Sequence, residues 1–176
     1  MNRVSLLLTL FLTLSLVGCG AIKFSLLQSL YERGMELERT GSGTAALAFL
    51  LQSESGGYVP AMRELSRVSF SSGVSDASLP RSLYWETQAA EHGDYLSQKK
   101  LARLYEEGFL VPQNKVKAYA WWKVAVSDAP SDPTGLLQMH MSTLERRMSK
   151  TQLARAFQLT QDIRSTIGVM TGQNVH

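Results

Sequence analysis

Two patterns of apolar and polar positions divide this chain. From Val4 to Val17, apolar and hydroxylic residues run on without a charge, rich in leucine between Leu6 and Leu16. Further along, apolar positions recur three and four apart, the spacing that places them on one side of a helix. Leu101, Leu104 and Tyr105 share one such face, and Ala118, Trp121, Trp122 and Ala125 form another. The residues between these stretches punctuate them. Gly108 stands where a left-handed residue ends a helix, Asn114 where a side chain caps the next, and Gly93 followed by Asp94 repeats the stop-and-cap pair. Gly41-Ser42-Gly43 reads as a link between two helices, since the Lys-Ser/Thr of a phosphate loop does not follow it. Ser131-Asp132-Pro133 predicts a helix start, with Asp as cap and Pro at the first helical position. Ser149 to Gln152 matches a capping box leading into Leu153, Ala156, Phe157 and Leu159, and Gly168 is predicted to end that last helix.

Self-comparison then exposes a period. A shift of 36 residues brings Gly57 onto Gly93, Leu65 onto Leu101, Trp85 onto Trp121 and Ala89 onto Ala125. It also places Val68 on Leu104 and Arg81 on Lys117. Upstream lies a third, degenerate copy, in which Leu30 to Gly34 echoes Leu104 to Gly108 and Phe49 to Gly57 echoes Trp85 to Gly93 in spacing. Each unit reads as two helices. Ala61, Ala89, Ala102 and Ala125 let neighbouring helices approach closely, and the tryptophans fill the space left over. A helix pair with one apolar stripe cannot bury it alone, so such units stack. The expectation is an all-α chain: a short right-handed α-solenoid of about three helix-pair repeats over residues 19–130, capped by two C-terminal helices over 131–168, with a tail at 169–176.

Leu101-Ala-Arg-Leu-Tyr105-Glu-Glu-Gly108, Val111-Pro-Gln-Asn114 and Lys117-Ala-Tyr-Ala-Trp-Trp122-Lys-Val-Ala125 closely resemble a Sel-one-like repeat, a branch of the tetratricopeptide-like α-solenoids. The preceding unit, with Trp85, Ala89-Ala90 and Gly93, is similar but looser. Departures sit in the turns. Where the family usually has its second glycine this chain has Leu110, only Gly73-Val74 survives in the second unit, and Asn114 replaces the usual turn aspartate. The inter-helix loops are therefore expected to be tighter or differently bent than the family norm. The resemblance implies a protein-binding scaffold, adaptor or assembly factor.

The first stretch has another meaning. Arg3 followed by fourteen uncharged residues suits a signal-peptide core, which is too short to span about 30 Å of hydrocarbon. Leu16-Val17-Gly18-Cys19 directly after it resembles the bacterial lipobox, whose cysteine is acylated and becomes the new N-terminus. An incidental cysteine in an ordinary secretory signal and an uncleaved anchor are the alternatives. Cys19 is the single cysteine, so no disulfide partner explains it. By the same resemblance, residues 1–18 form the signal peptide, a tether follows Cys19, and Gly20 rather than Asp directs the product to the periplasmic face of the outer membrane. Without residues 1–18, 17 basic side chains face 15 acidic ones, a net +2 that gives no reason to expect nucleic acid.

Catalytic chemistry is not visible. The chain has no H-x-x-x-H, CxxC or G-x-S-x-G, so neither a metal nor a cofactor is expected. His92 falls in the last turn of a helix, where the dipole favours a cation; His140, between Met139 and Met141, is expected to pack, and His176 is terminal. Trp85, Trp121 and Trp122 read as core rather than as a stacking platform, with Trp122 expected to be the more exposed of the adjacent pair. One surface pattern remains. Arg63 falls on Lys99 and Arg67 on Arg103, each pair four apart and opposite the core stripe. This predicts a basic ladder across two neighbouring first helices, absent from the first unit, where Ser25 and Ser29 take its places. The ladder is a solvated face or the contact for an acidic protein surface or peptide. The functional expectation is a lipid-anchored periplasmic adaptor of an envelope system. An immunity protein against a secreted phospholipase-type toxin is the second class, and an envelope hydrolase the third.

Overall fold

The computed structural model describes residues 3–71, 78–129 and 135–172, with side chains from residue 20 onward except that of Ser78. Its elements are α1 (Arg3–Arg39), α2 (Gly43–Glu54), α3 (Val59–Ser71), α4 (Ser78–Glu91), α5 (Tyr95–Glu107), α6 (Lys115–Asp128), α7 (Leu136–Arg146) and α8 (Lys150–Thr171). Among the described residues there is no strand, and no helix is long and apolar enough to cross a membrane. The chain forms two compact units, Met1–Ala61 and Met62–His176.

In the first unit α1 packs on α2. Ala46 and Leu50 are buried, and the Ser53 hydroxyl donates 2.7 Å to the Leu27 carbonyl. Gly34 does not end a helix as its echo Gly108 does. It lies inside α1, buried, where an added Cβ would stand 3.0 Å from Leu50 Cγ and 3.3 Å from the Ala46 carbonyl. The missing side chain serves close helix approach, so the turn comes later, at Gly41, with φ +82. The expected tether after Cys19 is also replaced. The backbone of α1 is helical from Arg3 to Arg39 without a break.

In the second unit the sequence punctuation acts as read. Gly93 is left-handed at φ +85, and Asp94 accepts from the Ser97 amide at 2.9 Å. Gly108 closes α5 at φ +73, and Asn114 opens α6 by accepting from the Lys117 amide at 3.0 Å. Between them Leu110 is held at φ +66, a left-handed conformation that costs a side-chain-bearing residue roughly 1–2 kcal/mol. This is the position of the glycine missing from the turn. Ala89, Ala102 and Ala125 are all fully buried, as close helix approach requires, and in the first unit Ala61 is too.

The second helix of the third unit departs from a single stripe. Ala118, Tyr119, Ala120, Trp121, Trp122, Val124 and Ala125 of α6 are all buried, which covers most of its circumference. α5, α7 and α8 pack around it, and Phe157 of α8 meets Tyr119 edge-on at 5.7 Å. Trp122 is consequently not the exposed member of its pair: it is 1% accessible and Trp121 6%. Trp85, by contrast, is only half-buried, edge-on to the exposed Tyr84 at 4.8 Å. α8 starts on the predicted capping box, in which Ser149 accepts from the Gln152 amide and Gln152 returns the bond. It does not stop at Gly168, which is buried within the helix; Gly172, at φ +69, terminates it. The Asp132-Pro133 start lies outside the described residues, and α7 begins at Leu136 after Gly135.

Two measurements check this account. Gly108→Ala places a side chain in a left-handed residue, 3.2 Å from the Gln113 amide nitrogen, and should cost about 1–2 kcal/mol. Gly43→Ala, in open space at the first residue of α2, should instead gain up to about 1 kcal/mol by restricting the unfolded chain. Chemical denaturation of the two variants is expected to move the midpoint in opposite directions. Glu91 gives a pH test. Burial raises its carboxyl above the ordinary 4.5, against weaker opposing effects of His92 and the Gln88 side chain. A raised carboxyl stabilises the fold fully below that ordinary value and loses the contribution as pH rises through the shifted one. Glu91→Gln should therefore be more stable than the parent at pH 7, and the two should converge below about pH 4.

Candidate protein-binding surface

α3 turns Met62, Leu65, Ser66 and Ser69 inward and leaves Arg63 and Arg67 outside, because the two cations lie one turn apart on the polar side. α5 does the same with Ser97, Gln98, Leu101 and Ala102 inside and Arg103 outside. Lys99 is half-buried because its ammonium lies over the Tyr95 ring, 5.1 Å from the centroid. The structure thus places the four ladder cations on the outer faces of these helices, and one contact joins the helices directly: Arg63 Nη1 lies 3.4 Å from Oδ1 of Asp94, the N-cap of α5.

Four acids hold cations of this surface, and of them only Asp94 was singled out from the sequence, as a cap. Arg63 pairs with Asp94, Arg67 with Glu64 three residues before it, and Arg103 with Glu107 at 3.1 Å. Lys100, outside the ladder, donates 2.5 Å to Glu86 of α4. In the pairs of Arg63, Arg67 and Lys100 the acids are only 6–14% accessible, while the cations are 45–54% accessible. Each of these three acids is submerged beneath its cation, so what reaches solvent there is positive, whereas Glu107 stays exposed beside Arg103. The Glu64–Arg67 and Arg103–Glu107 spacings of three and four were visible in the sequence. The pair between α4 and α5 carries no such local signal.

A cavity of about 200 Å³ lies beside these cations, lined from α3, α4, α5 and the loop after Gly108. Its walls are apolar, formed chiefly by Phe70, Leu79, Leu83, Leu104, Phe109 and Leu110, with Arg67 and Lys100 contributing the positive part of the lining. The polar groups beneath are occupied by one another. Ser82 Oγ donates to the Ser66 carbonyl at 3.0 Å, and Ser66 Oγ donates to Glu86 Oε2 at 2.6 Å. A groove along α5, lined by Leu96, Lys99, Lys100, Arg103, Leu104 and Glu107, shares Lys100 and Leu104 with the cavity. The α5 half of the ladder and the cavity are therefore one continuous surface.

The remaining candidates resolve into packing. His92 follows α4 directly, its Nδ1 2.8 Å from the Gln88 carbonyl, at the helix end where a cation is favoured. His140 stacks on Trp122 at 4.6 Å and 11°, with Nδ1 3.2 Å from Glu106 Oε2, the oxygen that also accepts the Trp122 indole N–H at 2.8 Å. His176 and the side chain of Cys19 lie outside the described residues. Among the described residues no group of three or more His, Cys, Asp or Glu side chains is placed to hold a metal ion.

No protein-family model and no curated protein matches the chain. Among solved structures it is similar to c5321, a protective antigen present in uropathogenic Escherichia coli strains displaying an SLR fold, that is, a Sel-one-like repeat fold. The TM-score is 0.59 at 20% identity, and the match covers 85% of this chain and 33% of that one. The chain thus spans one third of its structural neighbour's length. The likeness shows the fold, an all-α arrangement of Sel-one-like helix pairs.

The Glu106 contact yields a prediction. Glu106→Ala removes the acceptor of a buried indole N–H and should cost about 1–3 kcal/mol. Combined with Trp122→Phe, which removes the donor, the double-mutant cycle should return a coupling of about 1 kcal/mol. Strict additivity in denaturation free energies would show that this bond contributes nothing.

Proposed function

We propose that this chain is a protein-binding scaffold of the bacterial envelope, an adaptor or assembly factor. In this reading it is held at the periplasmic face of the outer membrane by acyl chains on Cys19 and offers α3 and α5 to an acidic protein partner. The observation that carries the reading is the layered charge of those two helices. Acids packed underneath fix Arg63 and Arg67, and the Tyr95 ring seats Lys99, so most of the ladder is preorganised as well as basic, which lowers the ordering cost of binding. Arg63, Arg67, Lys99 and Arg103 are the proposed partner contacts. The repeat fold supports the reading because stacked helix pairs present extended surfaces for recognition. The lipobox-like Leu16 to Cys19 after an uncharged stretch supports the anchor. Its strength would come from several acyl chains, since one alone binds membranes marginally. The description of the structural neighbour as a protective antigen is in keeping with an exported chain.

Two experiments test the two halves separately. Cys19→Ser is expected to shift the protein from the membrane fraction to the soluble fraction or to stall it uncleaved, and a cleaved, membrane-bound product would exclude the anchor. Changing Arg63, Arg67, Lys99 and Arg103 together to Glu should reduce capture of acidic partners by about tenfold or more, and Lys99→Glu with Arg103→Glu, which uncovers no submerged acid, should retain helical circular dichroism and reduce capture in the same direction. Capture should also weaken as salt rises through the physiological range.

A further inference from the structure

The ladder supplies charge, and the cavity beside it supplies shape. We propose that it is an anchor pocket for one large apolar side chain, phenylalanine or leucine in size, of an extended peptide whose flanking residues are acidic. This rests on α3 and α5 being the binding face and deepens it by naming what the partner inserts.

Size is the first argument. A cavity near 150 Å³ lined by aliphatic and aromatic side chains admits benzene, so about 200 Å³ has room for one phenyl or branched aliphatic group. Polarity is the second. Ser66, Ser82 and Glu86 are already bonded to one another and to Lys100, so the floor favours an apolar insert over a polar one that would lose its water. The rim is apolar and exposed. Phe109 is 58% and Phe70 40% accessible, although both line the cavity. Next to Phe109, Leu110 keeps a strained left-handed backbone where glycine would be relaxed. The strain brings an isobutyl group to the cavity wall, which glycine does not supply. Charge is the fourth. Arg67 and Lys100 line the cavity itself, and Lys99 and Arg103 continue from it along α5, where Glu107 is the one acid of the groove lining. Carboxylates on either side of the inserted residue would meet these cations, whereas basic flanks would be repelled.

The test uses the full chain in lipid nanodiscs and dye-labelled, end-capped peptides read by fluorescence polarisation. The probes are Asp-Glu-Phe-Glu-Asp, its Ser-centred form, and Lys-Lys-Phe-Lys-Lys. The acidic Phe peptide should bind at least about tenfold more tightly than either control, as expected of a buried aromatic anchor with matched flanks. Phe109→Asp, at an exposed position, should abolish that preference, and Phe109→Leu should keep most of it. A benzoylphenylalanine at the peptide centre should crosslink to Phe70 and to residues 109–111. Equal binding of the Phe and Ser peptides, unchanged affinity in Phe109→Asp, or crosslinks elsewhere would overturn the pocket. Equal binding of the basic peptide would overturn the acidic flanks. If the fourfold Glu variant loses partner capture while Phe109→Asp keeps it, the pocket fails and the scaffold reading stands. If both variants capture normally, the scaffold reading fails with it.

Discussion

The second unit depends on the need to cover α6. Tyr119, Trp121 and Trp122 belong to a helix apolar on most of its circumference, and such a helix has to be enclosed by protein. α5 covers part of it, and α7 and α8 cover the rest. The C-terminal helices are therefore part of the core, and the Met62–His176 unit runs past the repeat to include them. Trp122 shows how the enclosure is specified. Its ring is sandwiched with His140 of α7, and its one polar atom is satisfied by Glu106 of α5.

The same constraint leaves α3 and α5 free to carry polar outer faces. Their inward sides hold alanine, leucine and serine, while their outward sides hold the paired cations. Submerging an acid costs desolvation that its cation offsets only with good geometry. Here the acids are multiply bonded: Glu86 accepts from both Ser66 and Lys100, and Asp94 also caps α5. These acids both stabilise the helices and orient the charge above them.

Local signals were legible in the sequence, and those that depend on neighbours were not. Asp94, Asn114 and Ser149 act as caps, and Gly93 and Gly108 as left-handed stops, because each acts within a few residues of chain. The 36-residue period gave the helix pairs, and the helical wheel gave the outward placement of Arg63, Arg67 and Arg103. Trp122 was misplaced because its environment comes from α7, whose packing leaves no trace in the periodicity of α6. Gly34 and Gly168 were misread or under-read for a related reason: a glycine that ends a helix and one that admits a neighbour look identical in a sequence. The Glu86–Lys100 pair and the cavity between α3, α4 and α5 join residues distant in the chain, so only the fold brings them together.

The unbroken course of α1 has a mechanical consequence. Leu27 is the first buried residue after Cys19, and Ser53 pins its carbonyl to α2. Eight residues of helix, about 12 Å at 1.5 Å each, separate the two positions. With acyl chains on Cys19, this segment would be a lever and not a leash. Its exposed Ile22, Phe24 and Leu26 would lie at headgroup depth, and the first helix pair would tilt with the lipid surface instead of swinging beneath it.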